Sequence, residues 1–469
     1  MSRSRQSELS TQALPQKVSR DSSLPPFFSL RFATRGIGLA AQAIVIAQLT
    51  FFSTDVLGLP AAAIGALFLV ARIFDAVTDL FINFIIDKTR TRWGKARPYE
   101  LFIIPIWLLT IAIFATPTMS AGWQMTYIFV CFWLITAVCQ TALNASEGVF
   151  LKRAIEGEER YAKVLGRQGL FIILVTSVAS VVLPQLIAAW GDKQSGWILI
   201  AVLYGVPAIA LGLVRFFTIK EMPLPDVDPN VERPTLKDML RAIATNKYAF
   251  YLAGLVLLGS CLVNIGQTIS TYYFKYILGD IGLQSYGALG SIILPFVFLL
   301  FPVAVRRIGG MGYIRITLAI AIVGYMAVFF VPHSVPIVIA GTILGAFGSA
   351  LTMLIGFFNI QVMTYGQWRS GATIEAAPQA VTGFASKLGT GLGPAITGGL
   401  LAIAGYNGAL DVQPDGVNTM IIAVFALIPA VLCAVMFVFS FVWKLDKRMD
   451  AINADIAAGV GATTSTAKI

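Results

Sequence analysis

The sequence predicts an all-α integral membrane protein of twelve transmembrane helices in two six-helix halves, and three observations predict it. Hydrophobic residues make up 57% of the 469 and charged residues only 12%, about half the charged share of an ordinary soluble domain. Predominantly apolar runs recur along the chain, most of them near or above the roughly 20 residues that a helical crossing needs. The basic residues gather on alternate connections between those runs, as expected for a chain threaded back and forth through a bilayer.

Residues 1–26 are polar and rich in Ser and Gln, with no short apolar run ending in a small-residue cleavage site, so a cytoplasmic tail without a signal peptide is expected. The apolar runs follow near 28–56, 61–86, 100–118, 123–149, 165–190, 196–218, 248–278, 286–304, 313–331, 336–362, 376–404 and 417–443. The first half is thus 27–218 and the second 248–445. Between them 219–247 carries Pro223, Pro225, Pro229 and Pro234 among mixed charges and reads as a cytoplasmic linker. Residues 446–469 form a second cytoplasmic tail. The tails and the even-to-odd connections hold most of the 34 Lys and Arg residues, whereas the opposite connections hold only Lys193, with Lys275 just inside a helix end. Both termini are therefore expected in the cytoplasm. The net charge of +10 then reports orientation rather than a nucleic-acid surface.

A weak internal repeat supports the two halves. Run one leaves through FFSTDVLGL (51–59) and run seven through STYYFKYILGD (270–280); run two is followed by DKTRTRWGKARP (87–98) and run eight by RRIGGMG (306–312). Transporters are often built from such repeats. Asp87, Arg90, Arg92, Lys95, Arg97, Arg306 and Arg307 become candidates for fastening the cytoplasmic side when the opposite side is open.

Within run two, ARIFDAVTD (71–79) places Arg72, Asp75 and Asp79 in an otherwise apolar segment. At about 100° per residue, Asp75, Asp79 and Asn83 fall at about −60°, −20° and +20° from Arg72, on one stripe. Buried charges cost roughly 2.5–3.5 kcal/mol each on insertion scales, so the stripe must line a cavity or meet partners. An Arg72–aspartate salt bridge is the bland explanation and leaves the second carboxylate unexplained. Two carboxylates one turn apart suit a small monovalent cation or a transferable proton. Lys387, inside the eleventh run, is the natural countercharge, unless it snorkels to the cytoplasmic face.

Hydrogen-bonding and aromatic residues inside apolar runs supply candidates for an organic ligand: Gln42, Trp133, Gln140, Asn144, Asn264, Gln267, Thr271, Tyr272 and Asn359. Amides paired with aromatic faces suit a polyol, although each could equally bond helix to helix. Arg35, Arg167 and Lys387 could add positive charge near the cavity, which would suit an acidic sugar. The chain has no G-x-x-x-x-G-K-[ST] phosphate loop, so ATP-driven transport is not indicated. The single histidine, His333, falls on an outer connection, and Cys131, Cys139, Cys261 and Cys433 fall inside apolar runs without a C-x-x-C pair. Core packing is expected for the cysteines and no enzymatic role for the chain.

These residues carry a specific resemblance. ARIFDAVTD followed by DKTRTRWGKARPY, TDVLGL after run one, YYFKYILGD after run seven and TYGQWRSGATIEA (364–376) resemble the glycoside–pentoside–hexuronide:cation symporters, the melibiose-carrier branch of the major facilitator fold. The resemblance covers about 28–450. It implies symport of a glycoside with Na⁺ or H⁺, with no cofactor beyond the coupling ion, by a monomer in a bacterial inner membrane. It matches Asp75 and Asp79 to the family's cation-site aspartates, Lys387 to the lysine beside them and Arg167 to an arginine linked to sugar binding. It also shows departures, since Leu39 and Gln140 stand where melibiose-type carriers grip galactoside hydroxyls with aspartates. A lysolipid or other amphiphile is the alternative cargo, and a non-transporting sensor would call for a large soluble domain.

Overall fold

The structure is a computed structural model that describes residues 27–89, 91–155, 158–222, 246–370 and 376–458; within these, the side chains of Asp79, Asn83 and Asp87 are not described. The described part of the chain is helical, and its only β feature is an isolated bridge between Thr91 and Gly94. In the amino-terminal set, α1 is Phe28–Ile46 extended through Leu49–Phe51 and Phe52–Val56, α2 is Ala61–Lys88, and α3 is Arg97–Phe102 with Ile103–Phe114. Next, α4 joins Ala121–Trp133 to Thr141–Ala154, and α5 is Glu158–Trp190 and α6 Gln194–Thr218. In the carboxy-terminal set, α7 is Lys247–Tyr276, α8 Gly290–Ile308, α9 Gly310–Phe330, and α10 runs from Val335–Gly345 to Ile355–Ser370. Finally, α11 is Ala376–Ile403, α12 runs from Asp415–Ile422 to Ile428–Ser440, and a short α13 is Met449–Ala457.

Among the described residues, nine helical runs are long and apolar enough to cross a membrane. The other three long rods are α2, α8 and α11. Charge lowers the apolarity of α2, which holds Arg72, Asp75, Asp79 and Asp87, and α11 carries six glycines and Lys387. All four cysteines are buried and free, consistent with packing.

Glycines bring α11 into close contact on two sides. A Cβ on Gly398 would stand 2.3 Å from the Ala61 carbonyl oxygen, and one on Gly65 2.7 Å from that of Pro394, so α2 and α11 touch backbone to backbone. Small residues permit this approach between apolar helices, where packing rather than water exclusion drives association. The contact carries Lys387 to the level of Asp75.

Bonds between the two sets cluster at the end opposite the chain termini. There Gln48 Oε1 accepts from Thr271 at 2.6 Å, Thr54 and Tyr272 hydroxyls meet at 2.7 Å, and Gln185 donates to the Gly282 carbonyl at 2.9 Å. Aromatic packing of Phe51 on Tyr272 and Trp197 fills the space behind them.

The two basic connections are expected to fasten the halves when the opposite end is open; here that end is bonded shut, and each connection is held locally. Glu221 accepts the backbone N–H groups of Lys95 (3.0 Å), Ala96 (2.8 Å) and Arg97, and Arg97 Nε donates to the Phe216 carbonyl at 2.8 Å. Gly94 must be glycine here, with φ +121° and with a Cβ that would fall 2.7 Å from the Glu221 carboxyl carbon. Asp446 similarly accepts from the Met311 N–H at 2.7 Å and from Gln361 at 3.0 Å, tying down the α8–α9 turn. Each connection is held by its own set of helices. Arg92 lies over the Trp93 ring, Arg306 and Arg307 are exposed, and Arg90 lies outside the described residues.

Candidate functional site

Asp75 sits at the midpoint of α2 and is only 2% exposed. Three donors converge on its carboxylate. Lys387 Nζ reaches Oδ1 at 2.9 Å, the Thr141 hydroxyl reaches the same oxygen at 2.8 Å, and Arg72 reaches Oδ2 at 3.3 Å. Lys387 also donates to the Asp75 backbone carbonyl at 3.3 Å. The lysine thus points at α2 rather than snorkelling, and the Arg72 salt bridge exists alongside it. Asp79 follows one helical turn later, with its side chain outside the described residues, as are those of Asn83 and Asp87.

Thr141 is a site residue that sequence reading missed. A π-helical stretch, Leu134–Gln140, widens α4 just before it, and such widened turns are frequent at functional sites. The widening brings the Thr141 hydroxyl within reach of both the Thr136 carbonyl at 3.0 Å and Asp75, two acceptors that share its one proton.

Two polar cavities meet at this point. One, of about 310 Å³, is lined by Arg72, Asp75, Thr136, Gln140, Thr141, Asn144 and Lys387. The other, of about 190 Å³, shares Arg72, Thr136 and Gln140 and adds Gln42, Asn264, Gln267, Thr268 and Thr390, with Phe68 and Phe132 as its aromatic wall. Arg72 spans both and lies 5.5 Å over the Phe132 ring. Gln267 continues into a third space of about 310 Å³ between α1, α5, α7 and α10. The arrangement is a carboxylate with its countercharges beside a wall of amides and hydroxyls, suited to holding an ion next to a polyol.

Of the other sequence candidates, Gln42 lines the second cavity with its amide already bonded, and the rest fall elsewhere. Gln42 is fully buried, receiving a bond from Gln140 at 2.9 Å and donating to Thr110 at 3.2 Å, so its amide is spent inside the protein. Thr271 and Tyr272 are fully buried and belong to the closed end, where they bond Gln48 and Thr54. Asn359 accepts from Thr382 across α10 and α11 at 3.3 Å. The Trp133 indole nitrogen is buried with no partner among the described residues, and Trp133 lines none of these three cavities. Arg167 is exposed and also lies outside them. Tight helix packing, which sequence periodicity does not resolve, consumed the polar groups of Gln42, Thr271, Tyr272 and Asn359.

Arg35 adds no charge to the cavity either. Its guanidinium donates to the Leu143 carbonyl at 2.8 Å and pairs with Glu147 at 3.1 Å and Glu100 at 3.7 Å. Arg215, wholly buried between the Phe32 and Phe150 rings, pairs with the same two glutamates at 2.5 and 3.5 Å. Four helices, α1, α3, α4 and α6, therefore share a charge-balanced quartet. None of Glu100, Glu147 and Arg215 was singled out from sequence.

Comparison with known proteins follows the same lines. A model of the family described as MFS/sugar transport protein matches residues 36–447. The chain is 29% identical over 419 residues to an isoprimeverose transporter of Lactiplantibacillus pentosus, covering 87% of this chain and 86% of that one. It is likewise 29% identical over 418 residues to a putative glycoside/cation symporter of Escherichia coli (strain K12), covering 87% and 89%. In fold it is similar to a bacterial homologue of the human lysosomal transporter Spinster, with a TM-score of 0.63 at 15% identity over 90% of this chain and 99% of that chain.

Proposed function

The chain belongs to the MFS/sugar transport protein family, and we propose that it imports a glycoside together with Na⁺ or H⁺ by alternating access. It is a multi-pass membrane transporter and not an enzyme. The observation that carries the coupling is the Asp75–Lys387 pair in the wall of the polar cavity. The lysine ammonium stands where a monovalent cation would bind the Asp75 carboxylate. Thr141 offers the same cation a neutral oxygen, and Asp79, one turn on, offers a second carboxylate. A bound cation would compete with Lys387 for Asp75 and release the lysine. Sugar and cation sites that share a wall raise each other's affinity by one common factor.

A neutral glycoside fits the pocket better than a uronide. Arg35 is neutralised within the quartet and Arg167 lies away from the cavities, which removes two of the three charges that favoured an acidic sugar. Amides and hydroxyls, rather than a long apolar slot, line the space, which also disfavours a lysolipid. The isoprimeverose transporter among the relatives makes a pentosyl disaccharide the first cargo to try.

The remaining organisation belongs to this reading. The chain works as a monomer in a bacterial inner membrane with both termini cytoplasmic, and residues 27–218 rock against 248–445 about the linker 219–247. In that orientation the closed end faces outward and the structure is the inward-open form. The two basic connections, each held within its own half here, meet in the opposite form. Uptake of isoprimeverose into proteoliposomes, with a Na⁺ or a pH gradient imposed separately, tests the proposal. Accumulation driven by one gradient and lost in Asp75→Asn is expected; accumulation untouched by Asp75→Asn would sink the cation site.

A further inference from the structure

The wall amide Gln140 is oriented by a chain of bonds that starts outside the cavity. The Thr110 hydroxyl donates to the Ile106 carbonyl at 2.8 Å, so toward Gln42 it can only accept. Gln42 therefore turns its NH₂ to Thr110 (3.2 Å) and its carbonyl oxygen to α4. Gln140 must then donate to that oxygen, at 2.9 Å. One side of the Gln140 amide is thereby fixed as donor toward α1, leaving its carbonyl oxygen for the cavity that Gln140 lines.

A second rung holds the register of the first. Arg35 precedes Gln42 by seven residues on α1, and Glu147 follows Gln140 by seven on α4. The Arg35–Glu147 pair therefore lies about 10 Å along both helices from the Gln42–Gln140 bond. Glu147 is gripped from the other side by Arg215 through both carboxylate oxygens, at 3.1 and 2.5 Å. Sliding α1 against α4 would break both rungs together.

We infer that Thr110, Gln42 and the Arg35–Glu147 pair are positioning residues that aim the Gln140 carbonyl oxygen into the cavity as a fixed acceptor for one ligand hydroxyl. This rests on the glycoside reading above. An aspartate at Gln140 would accept with both oxygens. The oriented amide instead presents one acceptor and one remaining N–H, so it favours a ligand offering a donor and an acceptor side by side, as neighbouring hydroxyls do.

The test compares four variants in proteoliposomes by thermal midpoint and by half-saturation for isoprimeverose and for the cation. Thr110→Val removes the polarity signal, and Arg35→Lys keeps the charge but loses the fork. Each should raise isoprimeverose half-saturation about tenfold, the effect of one misdirected hydrogen bond, with cation half-saturation within about twofold. Glu100→Gln alters the same quartet without touching α1–α4 register, and should lower the midpoint while sparing sugar affinity. Gln140→Ala removes the acceptor itself and should weaken sugar at least as much as Thr110→Val. If Thr110→Val and Arg35→Lys behave like Glu100→Gln while Gln140→Ala still weakens sugar, the positioning role is overturned and the sugar site stands. If Gln140→Ala also leaves isoprimeverose half-saturation unchanged, the acceptor and the placement of sugar in this cavity fall together.

Discussion

Asp55 at the end of α1 and Lys275 at the end of α7 are joined by a 2.8 Å ion pair, and the hydroxyls of Tyr276 and Tyr406 reach the same carboxylate at 2.6 and 2.5 Å. The acceptor comes from one set of helices and these three donors from the other. A π-helical turn, Phe52–Val56, carries Asp55, and the side chain is only 2% exposed. Opening this end must strip all three donors from one buried charge. A hydrogen bond to a charged group contributes about 1.5–3 kcal/mol, so removing one shifts the closed-to-open ratio roughly ten- to a hundredfold. Tyr406→Phe is therefore expected to speed maleimide labelling of a cysteine at Gln48, applied from the Asp55 side, by at least about tenfold. An unchanged labelling rate would show that the carboxylate does not hold the gate.

At Asp75 the donors have different duties, which substitution can separate. Thr141→Val removes one neutral oxygen while leaving Lys387 and Arg72 in place, so cation affinity should fall about fivefold to twentyfold, in line with one hydrogen-bonding group lost. Lys387→Met removes the internal competitor for the carboxylate. Cation half-saturation should then fall, or the cation dependence flatten, in the same uptake assay. Loss of expression without either change would mean that the lysine only balances charge.

Gly94 offers a prediction about the α2–α3 connection. Any side chain there meets both a positive φ and the Glu221 carboxylate, and strain of this kind costs on the order of 1–3 kcal/mol. Gly94→Ala should lower the thermal midpoint more than Glu221→Gln, which keeps an acceptor for the same backbone N–H groups. Equal midpoints for the two variants would place the strain elsewhere.

Charges were the legible part of this site in the sequence. Arg72, Asp75, Asp79 and Lys387 stand out because an ionisable group in an apolar run demands a partner. Thr110 and Thr141 give no such signal, since a threonine in a helix can satisfy its hydroxyl on its own backbone, as Thr110 does with Ile106. The Arg35–Glu100–Glu147–Arg215 quartet was hidden differently. Its members lie near the ends of four separate runs, where each alone resembles an interfacial anchor, and only the packing of α1, α3, α4 and α6 reveals them as one cluster. Thr271 and Tyr272, bonded to Gln48 and Thr54 in this form, show the converse, because polarity inside a run marks a bonding need without saying whether a ligand or a neighbouring helix meets it.

The α2–α11 contact gives the most direct handle on alternating access. Gly65 meets the Pro394 carbonyl, Gly398 meets Ala61, and Gly391 packs on Arg72, so one glycine-lined seam runs from the closed end to the Asp75–Lys387 level. A methyl at Gly65 would sit 2.7 Å from the Pro394 oxygen and 2.9 Å from the Ala395 Cα, both backbone atoms that cannot swing aside. Overpacking of this kind costs about 1–3 kcal/mol, and it is charged only to the form in which α2 and α11 touch. Gly65→Ala should therefore shift the population toward the opposite form, speeding labelling of the Gln48 cysteine and slowing sugar turnover. Because the seam and the cation site share α2 and α11, saturating cation should change the labelling rate of the variant less than that of the parent. If Gly65→Ala slows labelling instead, the seam persists in both forms and α2 and α11 do not part at this end.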